Sequence, residues 1–230
     1  MFLDLFSEMK ENYLAPLFKK MRNAANAEKA VGAKKYMKNQ FEFLGIDAKK
    51  RKEIKSSFLK QYGTPDLPFL KDAILELWNQ PEREYQYIAI EILQKLTNKL
   101  QEEDIKWIEQ LITIKSWWDT VDGLSSWICG SYFQLYPKKI KTVTEKWILS
   151  GNIWLQRSAL LFQLKYKGKT DTVLLAKYIE QLTGGREFFI NKAIGWVLRE
   201  YSKSNREWVK EFVNIHSLAP LSYREATKYL

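Results

Sequence analysis

Nearly every segment of the chain spaces its apolar residues at helical period, and this constrains the fold more than any other feature. Residues 85–96 place Tyr85, Ile88, Ala89, Ile92 and Leu96 on one stripe of an amphipathic helix. Ile105, Ile108 and Ile112 repeat the pattern, as do Leu155, Ala159, Phe162 and Tyr166. No alternating apolar–polar run with hairpin turns occurs, so a sheet is not expected. Breaks are expected at Gly63-Thr64-Pro65, Pro68, Gln80-Pro81, Gly151-Asn152, Gly168, Gly184-Gly185 and Pro220. None reads as a flexible linker, so residues 1–230 are expected to form a single domain.

Four stretches resemble one another: LELWNQPEREYQYIAIEILQKL, IEQLITIKSWWDTVDGLSSWI, TEKWILSGNIWLQRSALLFQLKYK and IEQLTGGREFFINKAIGWVLREY. Each reads as the end of a helix, a polar turn and a second helix. Aligning Tyr85, Trp118, Trp154 and Phe189 gives steps of 33, 36 and 35 residues. That period marks a solenoid of helical pairs, in which each pair buries its apolar stripe against the next. The expected fold is therefore all-α, a superhelix with a concave face onto which the starts of the second helices project.

Charge is segregated along this array. Residues 15–60 hold thirteen basic residues against four acids, net +9, and residues 136–170 hold eight against one, net +7. The whole chain carries only +10, so the remainder is acidic. Two positive blocks meeting in the fold would make a polyanion-binding surface; otherwise the lysine runs are solvated faces.

Several classes are excluded. A single cysteine, Cys129 in the apolar segment WICGSYF, rules out a disulfide scaffold and Cys-rich metal sites. A single histidine, His216, rules out a histidine cluster, and no metal site is expected. No Gly-rich nucleotide loop is present. No apolar run approaches the roughly 20 residues of a membrane span. The N-terminal MFLDLFSEMKENYL is amphipathic and carries acids, unlike a secretory signal. The expectation is a soluble, cytoplasmic, monomeric protein without a cofactor.

One constellation carries chemistry. Trp118 and Asp122 lie four apart and share a helix face, and the repeat alignment brings Arg157 near Asp122, with Trp196 past Phe189. Aromatic faces attract cations by roughly 0.5–2 kcal/mol. A carboxylate stabilises developing positive charge, the more so where water is excluded. From the residues alone, the group is equally well a structural Asp122–Arg157 ion pair beside core tryptophans.

The segments KYMKNQF (35–41) through FLGI (43–46), KSWWDTVD (115–122), NIWLQR (152–157) through LFQLKYK (161–167), EFFINKAIGWVLREY (187–201) and LAPLS (218–222) with REA (224–226) resemble the DNA alkylation repair family, the AlkD-like DNA glycosylases, in order and from about residue 26 to the end. The resemblance implies a HEAT-like repeat array whose concave basic face cradles duplex DNA. It implies hydrolysis of the N-glycosidic bond of N3- and N7-alkylated purines in base excision repair, without metal or cofactor, on DNA in the nucleoid. Such a family is held to leave the lesion in or near the base stack. By resemblance, Asp122 is the catalytic carboxylate, Trp118 and Trp196 pack against the sugar and lesion, and Arg157 anchors a phosphate. Phe188, Phe189 and Lys192 contact the DNA backbone, and Tyr36 lies near the DNA cleft.

One segment departs from the family's pattern. After FLGI the chain reads Asp47-Ala48-Lys49-Lys50-Arg51-Lys52, without the usual Thr-Pro-Glu, and an acid at Asp47 would face phosphates unfavourably. Gly32 interrupts the helix before Tyr36, at about 1 kcal/mol relative to Ala.

Overall fold

The computed structural model describes residues 13–64 and 67–230, and the side chains of all of these except Leu67 and Pro68. Most of the N-terminal segment read above as unlike a secretory signal, along with Pro65, lies outside the described residues. The regular structure among the described residues is helical, apart from one isolated bridge between Glu42 and Glu82. No helix among them is long and apolar enough to cross a membrane. The chain divides into two compact units between Lys99 and Leu100.

The first unit contains α1 (Ala15–Asn23), α2 (Ala27–Tyr36), α3 (Ala48–Tyr62), α4 (Leu67–Asn79) and α5 (Arg83–Leu93), followed by a 3-10 segment, Gln94–Lys99. Tyr85, Ile88, Ala89, Ile92 and Leu96 are all buried, as their spacing requires. Asn26 and Asp47 cap α2 and α3, their side chains accepting from the backbone N–H groups of Lys29 and Lys50, each at 2.9 Å. A cap of this kind is worth about 1 kcal/mol. Asp47 also meets Lys29 at 3.3 Å, so its charge is compensated. The helix runs on through Gly32. Pro68 does not break the chain but stands in the first turn of α4, where a missing N–H costs nothing.

The FLGI loop of this unit is held by buried Glu84 at the start of α5. Its carboxylate accepts from the backbone N–H groups of Leu44, Gly45 and Ile46 at 3.0, 2.8 and 3.1 Å. Gly45 has φ +77°, and a Cβ there would lie 2.1 Å from the Asn26 carbonyl oxygen, so no other residue fits. Arg83, fully buried, stacks its guanidinium 3.8 Å from the centre of the Phe41 ring.

The second unit runs from a 3-10 turn (Glu102–Asp104) through α6 (Ile105–Thr113), α7 (Trp118–Gly123), α8 (Gly130–Leu135), α9 (Lys139–Leu149) and α10 (Ile153–Leu161). After a 3-10 turn (Lys167–Lys169) come α11 (Thr172–Leu182), α12 (Phe188–Ser202), α13 (Arg206–Ile215) and α14 (Pro220–Ala226). A π-helical turn, Leu124–Cys129, joins α7 to α8. Two of the helix pairs that the repeats foretell pack closely, α4 on α5 and α9 on α10; α6 instead meets the π-helical turn after α7, and α11 packs on α9 and α10 and not on α12. Within the unit, α10 packs on α9, α7 and α12, while α12 packs on α13 and α14. The second helices α7, α10 and α12 thus stand side by side as one layer. Asn152, Asp171 and Asn205 cap α10, α11 and α13.

Basic residues of both blocks are partly compensated within their own units. In the first, Arg51 and Lys55 share Glu91, and Lys34 meets Glu42 at 2.7 Å. In the second, Lys139 meets Glu102 at 2.6 Å. Cys129 is fully buried, which raises its thiol pKa far above the ordinary value.

Candidate active site

The starts of the second helices α7, α10 and α12 build the site. Trp117 precedes α7 with extended backbone, and its ring meets those of Trp154 at 5.8 Å and Phe189 at 5.1 Å; Trp154 and Phe189 are 5.0 Å apart. The repeat alignment placed Trp118 in that position. The helices α7, α10 and α12 begin at Trp118, Ile153 and Phe188, so Trp118 is the first residue of its helix where Trp154 and Phe189 are the second, and the ring that meets theirs comes from Trp117, ahead of the helix. Trp118 lines a cavity.

That cavity, of about 270 Å³, is lined by Trp118, Arg157, Phe188, Phe189, Lys192, Trp196, Arg199 and Glu225. Trp118 and Trp196 are only partly buried, unlike the core tryptophans Trp78, Trp107 and Trp147. Arg157 is buried against the floor. Its Nε and Nη2 donate to the two carboxylate oxygens of Asp122 at 2.7 and 3.0 Å, and its Nη1 donates to the Phe189 carbonyl. Three of its five N–H groups are thus committed. Asp122 lies behind Arg157, one turn along α7 from Trp118, and is not itself among the lining residues.

The register of this pair is fixed locally. Ser125, in the π-helical turn, donates to the Val121 carbonyl, and its Oγ lies 2.8 Å from Ser158 Oγ, tying this turn to α10 beside Asp122 and Arg157. Ser126 donates to the Asp122 carbonyl at 2.7 Å. π turns recur at functional positions in helices. Lys115, just before the site, holds φ +52°, an uncommon conformation for a residue with a side chain.

Electrostatics follow from burial. Burial pushes the Asp122 carboxyl above the usual carboxylate range, and the Arg157 guanidinium offsets part of that rise. In the same cavity, Lys192 and Arg199 bond to Glu225 and hold its carboxyl below the usual range.

Of the residues singled out in sequence, Trp118, Arg157, Phe188, Phe189, Lys192 and Trp196 meet in this cavity, with Asp122 bonded to Arg157. Phe188 is half exposed. Tyr36 belongs to the first unit, where it is exposed at the edge of a separate cavity with Lys29, Met37 and Tyr87. Arg199 and Glu225 were missed. Arg199 lies on the stripe of Lys192 and Trp196 and was legible by spacing, whereas Glu225 arrives through tertiary packing. No group of three or more His, Cys, Asp or Glu side chains able to hold a metal occurs among the described residues.

These features define a helical-repeat protein with an aromatic, cation-rimmed cavity backed by a carboxylate–arginine pair. A model of the DNA alkylation repair enzyme family matches residues 17–230, and the chain belongs to that family. A solved structure from Enterococcus faecalis, described as a predicted DNA alkylation repair enzyme, is similar at 37% identity and a TM-score of 0.84, covering 90% of this chain and 96% of that one. The smu.31 protein of Streptococcus mutans UA159 shares the fold at 17% identity and a TM-score of 0.60, covering 78% and 92%. No curated protein matches the chain. Membership gives it a role in the repair of alkylated DNA.

Proposed function

We propose that the protein is a DNA glycosylase that hydrolyses the N-glycosidic bond of N3- and N7-alkylated purines in duplex DNA. The observation that carries this reading is the meeting of Trp118, Trp196 and the Asp122–Arg157 pair at one cavity with cations at its wall. Alkylation makes the purine cationic and a good leaving group. The bond electrons depart with the base, the sugar becomes an oxocarbenium ion, and water adds at C1′ with loss of a proton, leaving an abasic site. The protein has then to stabilise positive charge and place water.

Asp122 suits both tasks. Each of its oxygens keeps a lone pair beyond the bond to Arg157, and the carboxylate is sheltered enough for its charge to act strongly. Arg157 orients Asp122 and offers its remaining N–H groups to a phosphate. Trp118 and Trp196 give the faces against which sugar and cationic base pack. Lys192, Phe188 and Phe189 lie at the same rim, and Tyr36 contributes a DNA contact from the first unit. The protein acts as a monomer in the cytoplasm.

The test is single-turnover release of 7-methylguanine and 3-methyladenine from alkylated duplex DNA. Release by the wild type supports the reading. Salt-sensitive duplex binding without release of any alkylated base would replace it with a non-catalytic DNA-binding role for the same fold.

A further inference from the structure

Glu225 is the only carboxylate among the residues lining the cavity. It comes from α14 and lies against α12, where Lys192, Trp196 and Arg199 follow one another at i, i+4 and i+7 and so share a face. Trp196 therefore has a cation one turn to either side. Glu225 takes one cation with each oxygen: Lys192 Nζ lies 2.7 Å from Oε1, and Arg199 Nη1 bonds to Oε2. Gly195 makes this approach possible, since a Cβ there would lie 2.4 Å from Glu225 Cβ and 2.8 Å from the Ser222 carbonyl oxygen. The carboxylate is sheltered, with its side chain 17% exposed, while that of Lys192 is 39% exposed.

A cavity of the proposed function meets two opposed demands. DNA phosphates require cations at its rim, but an N3- or N7-alkylated purine is itself a cation. Lys192 and Arg199 alone would repel the base that Trp196 is placed to receive. With Glu225 present, Arg157, Lys192 and Arg199 are set against Asp122 and Glu225, which leaves one net positive charge among the five.

We propose that Glu225 is a specificity-determining residue, whose carboxylate offsets Lys192 and Arg199 beside Trp196 so that the cavity prefers a cationic purine to a neutral one of the same shape. The proposal rests on the glycosylase reading above. It concerns discrimination between bases, not the bond-breaking step, which falls to Asp122.

The experiment compares two duplexes that differ in one charge. One carries 7-methylguanine, and the other carries its neutral isostere with carbon in place of N7. Single-turnover half-saturation is measured on the first and inhibition by the second, for wild type, Glu225→Gln and the double variant Lys192→Gln/Glu225→Gln, with thermal unfolding of each. Glu225→Gln is expected to lower the preference for the cationic base roughly 5-fold, the scale of one partly sheltered charge a few ångströms from a bound cation. Binding of the neutral duplex is expected to hold or tighten. The double variant has the wild-type net charge and is expected to regain the preference, which a merely structural role for Glu225 in docking α14 does not allow. Should Glu225→Gln fail to fold, Lys192→Gln alone carries the test, with a preference roughly 5-fold above wild type expected. A wild type that releases 7-methylguanine and prefers the cation, with these variants unchanged in preference, overturns this proposal alone. A wild type with no release overturns the glycosylase reading and this proposal with it.

Discussion

Arg157 grips both carboxylate oxygens of Asp122 across 35 positions of sequence, with Nε at 2.7 Å and Nη2 at 3.0 Å. The side chains are 5% and 17% exposed, so each charge depends on the other for solvation. The pair is one unit of charge and geometry, and several outcomes follow from treating it so.

Replacing Arg157 with Met keeps much of the side-chain volume but leaves Asp122 sheltered and unpaired. Breaking a buried pair by removing one partner costs about 3–5 kcal/mol, and incomplete burial here places the expected loss at or below about 3 kcal/mol. The loss has a pH signature. Burial already raises the Asp122 carboxyl above its ordinary value, and removing Arg157 raises it further. A carboxyl raised in the folded state binds more protons folded than unfolded, so stability is fuller below the unfolded pKa and falls as pH rises through the folded pKa. Arg157→Met should therefore show its largest deficit in melting temperature near neutral pH and a smaller one in acid. A deficit that does not vary with pH would remove Asp122 from the explanation.

Two glycines predict opposite signs for the same substitution. Gly32 sits inside α2 with nothing within 4 Å of a Cβ and without the positive φ that glycine favours, so Gly32→Ala is expected to stabilise the protein by about 0.5–1 kcal/mol. It should raise the urea midpoint without changing the slope of unfolding.

Gly195→Ala is expected to destabilise by about 1–3 kcal/mol, as overpacking does, because the new methyl meets the backbone of α14 at Ser222 and the stem of Glu225. Its duplex binding should change as well, since Glu225 cannot then reach Lys192 and Arg199 unmoved. Wild-type stability would show that α14 shifts freely.

The helices were legible in sequence because burying one face imposes the 3.6-residue period, and the repeat step was legible because successive pairs stack alike. The Asp122–Arg157 contact followed from that step. The one-residue frame error at Trp118 arose because an alignment by residue type cannot tell the first position of a helix from the second. Asp47 was readable in principle, as an aspartate before a helical run is a capping signal, but reading it against DNA obscured its local bond to Lys50. Glu84, which clamps the FLGI loop from about forty residues away, and Glu225, which closes the cavity from α14, carry no local signal. The loop that Glu84 clamps also needs close backbone approach at Gly45 to Asn26, and Glu225 needs it at Gly195, which only the assembled fold reveals.

Duplex binding is expected to weaken steeply with salt and to show little sequence preference, because phosphate contacts dominate. Lys192→Gln should reduce the slope of log affinity against log salt by roughly 0.9, one phosphate's share, at equal cost across sequences. A slope unchanged from wild type would mean that Lys192 stays with Glu225 when DNA is bound.

The sharpest outcome concerns Asp122→Asn. The substitution keeps the size of the side chain and one oxygen to face Arg157 but removes the charge. If that charge serves the oxocarbenium ion, the loss falls on the chemical step, by on the order of 100-fold or more, and not on affinity. Duplex affinity is expected to hold or rise, because an anion is lost and Arg157 is freed toward phosphate. The wild-type rate should itself rise with pH as Asp122 ionises, at a pH above the ordinary carboxylate range because burial raises that carboxyl. In Asp122→Asn that rise should vanish and leave a low, flat profile. Single-turnover release of 7-methylguanine across pH measures both effects on one substrate. A wild-type-like rate in Asp122→Asn, from an active wild type, would take the catalytic role from Asp122 and leave the pair as a structural bond between α7 and α10.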